Sequence, residues 1–142
     1  MIIFEVHAFG HPNITAKHRT TLQVTKEAEI SKRADCIIGV KADKSISEIP
    51  NEAKIALKKG LKVELDILLP DHDIKETLIG FGDERLSFTH EEDIVIRKSK
   101  FVCGRTLLIR ANKSARDLKR EILDLLKDKK TELILLFKIE DH

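Results

Sequence analysis

Three of the chain's six histidines, His7, His11 and His18, fall near the N-terminus, with Asn13, Thr20 and Thr21 among them and the pair Asp35-Cys36 following. Imidazole, carboxylate and thiolate are the ligand types of a zinc site, so a divalent metal such as Zn is the first chemistry to consider. If one strand runs through positions 7 to 11, His7 and His11 share a face but lie about 13 Å apart, at ~3.3 Å per residue. That is too far for one ion. His11 and His18 sit at the two ends of a turn signalled by Gly10, Pro12 and Asn13, and Asp35 and Cys36 could add ligands from a later strand. The candidate metal set is therefore His11, His18, Asp35 and Cys36. The spacing between the two histidines matches no established metal motif. The bland reading is that Asn13, Thr15 and Thr21 satisfy turn backbone, with the histidines half exposed.

Cys36 could also act as a nucleophile with His11 or His18, Asp35 lying beside it, if an imidazole lowered its pKa. Its place at the head of an apolar run suits a small core residue better. Cys103 lies beside Gly104 and Arg105, where a basic neighbour favours the thiolate.

A second polar group, Arg97, Lys98, Ser99, Arg105 and Thr106, clusters around one strand–loop–strand turn. Guanidinium, ammonium and hydroxyl donors are what a phosphate or carboxylate site needs. Facing the His11–Thr21 segment, this turn would complete a pocket for a small anionic ligand, with His11, Asn13, His18, Thr20, Arg97, Lys98, Ser99, Arg105 and Thr106 as binding candidates. Whether such a site is an enzyme is left open. Gly80-Phe81-Gly82 lacks the spacing of either nucleotide-binding glycine fingerprint, and no serine-hydrolase elbow or metalloprotease helix motif is present.

Charge is distributed unevenly. Residues 93–120 carry nine Lys and Arg against Asp93 and Asp117, a net of +7, whereas residues 61–92 carry three basic and nine acidic residues, a net of −6. The basic 93–120 segment could serve a non-enzymatic RNA- or protein-binding module. Phe101 is its one aromatic available for stacking, so nucleic acid is the weaker reading. Alternatively, adjacent strands pair these charges, and Arg116, Lys119 and Arg120 form the wet face of a helix.

The elements that must position these groups follow from periodicity. Strands are expected over 2–9, 20–26, 36–40, 61–69, 74–81, 93–98, 106–110 and 133–139, the last a central strand buried on both faces. Helices are expected over 43–60, capped by Ser47, and 114–129, with Ser114 and Asp117 forming a capping box. About eight strands and two helices joined by short turns predict an α+β fold, one domain over 1–142, with a mainly antiparallel or mixed sheet. The element order hints at two similar halves, although no residue-level repeat supports it.

With 142 residues the chain can bury a single core, and at 4% aromatic residues that core is built from Leu, Ile and Val. No apolar run approaches the ~20 residues that cross a bilayer, and Glu5 interrupts the N-terminus before any signal peptide could form, so a cytoplasmic location without membrane association is expected. Cys36 and Cys103 are expected as free, buried or half-buried thiols. A homo-oligomer is compatible with the sequence.

The runs F-G-H-P-N-I-T-A-K-H-R-T-T, D-C-I-I-G-V-K-A-D, D-I-V-I-R-K-S-K-F and R-T-L-L-I-R-A-N-K-S-A-R-D-L resemble a small archaeal family of unknown function, number 371. The similarity covers nearly the whole chain. It implies an archaeal cytosolic protein and places the family's polar positions at His11, Asn13, His18, Thr20, Thr21, Asp35, Cys36, Arg97, Lys98, Ser99, Arg105 and Thr106. It implies no activity.

Overall fold

The computed structural model describes residues 1–141. The chain order is β1 (Ile2–Phe9), β2 (Thr21–Thr25), β3 (Ile37–Gly39), α1 (Asn51–Lys58), β4 (Lys62–Leu69), β5 (Ile74–Phe81), β6 (Asp93–Arg97), β7 (Thr106–Leu108), α2 (Arg120–Leu125) and β8 (Glu132–Ile139). Among the described residues, eight strands form two four-stranded sheets, ordered β1-β8-β4-β5 and β3-β2-β6-β7. The first is antiparallel throughout; in the second, β2 with β6 is antiparallel while β2–β3 and β6–β7 are parallel. Bridges between Phe9 and Val40, and between Phe81 and Ile109, tie the corresponding edges of the sheets together. This is the α+β fold expected, with a mixed sheet.

Alternation places the core between the sheets. Along β1, Phe4, Val6 and Ala8 are buried, while Glu5 and Phe9 are exposed and His7 half-buried. They meet Leu65, Ile67, Leu133, Leu135 and Phe137, with the Phe4 and Phe137 rings stacked at 4.7 Å. β8 is central, but it alternates buried and half-buried residues. The expectation of burial on both faces is corrected: Lys138 lies on the wetter face and reaches Asp66 (2.8 Å) and Glu64 (3.2 Å).

Both predicted helices are shorter than expected, for one reason. Ser45, rather than the expected Ser47, and Ser114 close capping boxes with Glu48 and Asp117, but each box starts a 3-10 turn of three residues (Ile46–Glu48, Ala115–Asp117). Ile49 and Leu118 then go extended, and the α-helices begin afterwards. In the first case Pro50 enforces this, because the residue before a proline is pushed out of the helical region.

The two breaks are alike because the chain is a duplication. The run β1-β2-β3-turn-α1-β4 is repeated as β5-β6-β7-turn-α2-β8, and residues repeat with it. F-G-H-P-N-I-T-A-K-H (9–18) matches F-G-D-E-R-L-S-F-T-H (81–90), and K-A-D-K-S-I-S-E-I (41–49) matches R-A-N-K-S-A-R-D-L (110–118). The residue-level repeat that periodicity did not reveal is therefore present. It is hidden because the loop at 26–36 is three residues longer than its counterpart at 98–105. Even the left-handed positions recur, Ala16 with Phe88 and Lys41 with Arg110. The halves interlock: Gly10 packs on the carbonyls of Leu126 and Asp128, and Gly82 on that of Leu57, where any Cβ would overlap the carbonyl.

Asp66 is the more deeply buried of two charges in the larger sheet, 2% exposed against 5% for Glu76. Burial opposes its ionisation, but Lys138 and the Thr77 hydroxyl, donating at 2.7 Å, outweigh that and hold its pKa below the usual carboxylate range. A depressed pKa contributes stability above the unfolded value, lost as pH falls through the folded one. Lys138→Met should destabilise the protein at pH 7, because Asp66 is then left buried with the Thr77 hydroxyl alone. The cost should shrink below pH ~4, where Asp66 protonates in the variant while Lys138 still holds it ionised in the parent, and shrink further as pH nears the parent's depressed value. Urea unfolding of the two proteins at pH 7 and pH 3.5 checks this; an equal cost at both would refute it.

Candidate functional site

The antiparallel pairing of β2 with β6 sets Thr21 opposite Arg97, Gln23 opposite Val95 and Thr25 opposite Asp93. The pseudo-two-fold axis therefore passes at Gln23–Val95. At one end of this strand pair the His18–Thr21 segment meets the Arg97–Lys98 segment. The Lys98 N–H donates to the Thr20 carbonyl (2.8 Å) and the Arg116 N–H to that of His18 (3.1 Å). Two of the segments singled out from sequence thus come together, through backbone.

His18 itself is a turn former. Its Nδ1 accepts the backbone N–H groups of Thr20 (3.2 Å) and Thr21 (3.1 Å), so its ring proton sits on Nε2. His90 does the same for Glu92 (3.2 Å) and Asp93 (2.9 Å) in the second half. Asp35 offers its carbonyl to the His18 N–H (3.1 Å), and the Cys36 thiol donates to Gln23 Oε1 (3.2 Å). Among the described residues no group of three or more His, Cys, Asp or Glu side chains is arranged to hold a metal ion.

The Arg97–Thr106 turn is an internally bonded cluster. Arg97 Nε donates to Thr106 Oγ1 (2.9 Å) and its Nη2 to Cys103 Sγ (3.3 Å), while Thr106, fully buried, also accepts from the Cys103 N–H (3.1 Å). Arg105 pairs with the buried Asp93 at 3.0 Å, Lys98 with Asp117 at 2.6 Å, and Ser99 Oγ accepts the Phe101 N–H at 3.3 Å. Lys113 likewise reaches the buried Glu76 at 2.9 Å. Among the described residues three of the nine basic side chains of 93–120 are thus ion-paired, and of these Lys113 alone reaches the acidic 61–92 stretch.

Both cysteines are free and half-buried, but their thiols differ. Burial pushes the Cys36 thiol up. For Cys103 burial also opposes ionisation, yet hydrogen bonds from the Arg105 backbone, the Thr106 hydroxyl and the Arg97 guanidinium outweigh it and lower the pKa to about 7. Thiolate, not thiol, is the reactive form.

His11 lies elsewhere, with Asn13, in a cleft lined by Gly10, Pro12, Ala28, Glu29, Val40, Lys41 and Lys129 and enclosing about 260 Å3. The ring is buried. Its Nδ1 accepts the Asn13 N–H (3.0 Å), which leaves Nε2–H to donate to Glu29 Oε2 at 3.0 Å. Asn13 donates from its side-chain amide to the Ile30 carbonyl (2.8 Å). Among the described residues Lys41 and Lys129 carry no ion pair, whereas Glu29 is 87% exposed. In the other half Asp83 stands for His11 and Arg85 for Asn13, and these two pair with each other (2.8 Å) while Arg110 stacks on Phe81 at 4.9 Å.

The family model described as "Domain of unknown function (DUF371)" matches residues 6–140. The chain belongs to this family. It is also similar to an uncharacterized protein of Methanocaldococcus jannaschii, an archaeon, 45% identical over 136 residues that span 96% of this chain and 97% of the relative. Among the described residues no helix is long and apolar enough to cross a membrane.

Sequence reasoning passed over Glu29, Lys41 and Lys129 in the cleft, and Arg19 at the strand end. Of these, Arg19 stands out when the halves are aligned, against Glu91, whereas Lys41 matches Arg110 and Glu29 lies in the longer loop. One consequence is testable with alkylating reagents. Cys103 should react with a midpoint near pH 7, and Cys36 only well above it, as peptide mapping of labelled protein over a pH series would report. Parallel titration of both thiols would contradict the assignment.

Proposed function

We propose that the protein binds a small carboxylate- or phosphate-bearing ligand in the His11 cleft. What supports this best is the hydrogen bond between a buried imidazole and the carboxylate of an almost fully exposed glutamate, beside two ammonium groups that carry no ion pair among the described residues. Glu29 occupies the place of a ligand carboxylate. An exposed interaction of this kind is worth up to about 1 kcal/mol, so an incoming anion that also meets Lys41 and Lys129 displaces it at little cost. The Nε2–H of His11 is fixed as donor by the Asn13 N–H on the opposite nitrogen, and a pre-set donor loses little freedom on binding. The volume suits a compact ligand below drug size. Arg97, Arg105 and Thr106 have no part in this reading, since their donors serve the fold.

Titration of the labelled protein with inorganic phosphate, malonate and citrate, followed by NMR, tests it. Shifts should concentrate at Gly10–Asn13 and Lys41. Glu29→Gln should tighten binding about 5-fold by removing the internal competitor, and Lys41→Ala with Lys129→Ala should abolish it. No response at His11 to any of these anions at millimolar concentration would end the proposal.

A further inference from the structure

We propose that the end of the smaller sheet where β2 starts and β6 finishes is a binding surface for single-stranded nucleic acid. It is separate from the His11 cleft and does not rest on the small-ligand reading.

The backbone contacts of His18 and Thr20 with Arg116 and Lys98 bring Arg19, Lys98 and Arg116 to one place, flanked by Lys17 and Lys100. Lys17, Arg19, Lys100 and Arg116 are exposed and carry no ion pair among the described residues. Lys98 is paired with Asp117, and Asp35, half-buried, adjoins the patch through its carbonyl on the His18 N–H. Beside them Phe101 is 60% exposed, and the Arg97 guanidinium lies 4.9 Å from its ring centroid. Phosphate-binding cations around an exposed aromatic form the arrangement on which single-stranded bases stack while their backbone is neutralised.

The duplication provides an internal control. At the opposite end of the same strand pair the backbone is repeated: the Lys26 N–H donates to Glu92 as Lys98 does to Thr20, and Ser47 to His90 as Arg116 does to His18. There Glu91 replaces Arg19, Glu92 replaces Thr20 and Ser47 replaces Arg116, with Glu27 alongside. The fold is built equally well with acidic residues at these positions. The positive charge is thus not required by the turn, and a polyanion accounts for it.

Anisotropy of fluorescent mixed-sequence RNA and DNA oligomers, single-stranded and duplex, tests the assignment. Single strands should bind with log K falling against log salt at a slope of about −3, as contact with four or five phosphates requires. Arg19→Glu with Arg116→Ser installs the residues the other half already carries. It should weaken binding at least about 10-fold with an unchanged melting temperature. Phe101→Leu should weaken single-strand binding about 10-fold and leave any duplex binding unaffected. Absence of oligomer binding at low salt would overturn the proposal, as would full affinity in the Arg19/Arg116 variant. Salt-sensitive self-association by sedimentation, without oligomer binding, would overturn it in favour of a second copy docking its acidic end.

Discussion

Every pairing in the larger sheet joins a strand of one half to a strand of the other: β1 to β8, β8 to β4, β4 to β5. The rest of the structure depends on this interleaving. Neither half has a sheet of its own on this side, so the core exists only when both are present. The glycine contacts enforce the same arrangement, since Gly10 crosses the end of α2 and Gly82 the end of α1. Backbone N–H groups that would be orphaned there are paired across the halves, His11 with Leu126 and Gly82 with Leu61.

Within this frame the repeated polar side chains do structural work. His18 and His90 hold equivalent turns, Ser45 and Ser114 cap equivalent 3-10 turns, and Asp43 and Asn112 accept the N–H groups of His7 and Ile79 at 2.9 Å each. Two of the polar differences between the halves carry the functional readings. His11 against Asp83 opens a cleft in one half and an internal ion pair in the other. Arg19 against Glu91 makes one end of the smaller sheet basic and the other acidic.

The strands were legible because alternation of apolar and polar residues reports burial directly; β1 and β5 fall where periodicity puts them. The helices were not, because a capping box reads the same before a 3-10 turn as before an α-helix. The choice is made only by Pro50 and by the extended Leu118 that follow. The parallel β2–β3 and β6–β7 pairs were hidden by loops that carry no apolar pattern. Of the candidate site, the His18–Thr21 end of the first segment meets Lys98 and Arg116 through backbone. His11 is held away from that meeting point by backbone bonds to the other half, Gly10 to Thr131 and His11 to Leu126, which no local pattern signals.

Residue-resolved hydrogen exchange under native conditions tests the interleaved fold most directly. Strands β4 and β8, central in the larger sheet but drawn from different halves, should open together with the free energy of global unfolding. A lower opening free energy for one half's strands, with the other half still protected, would contradict it.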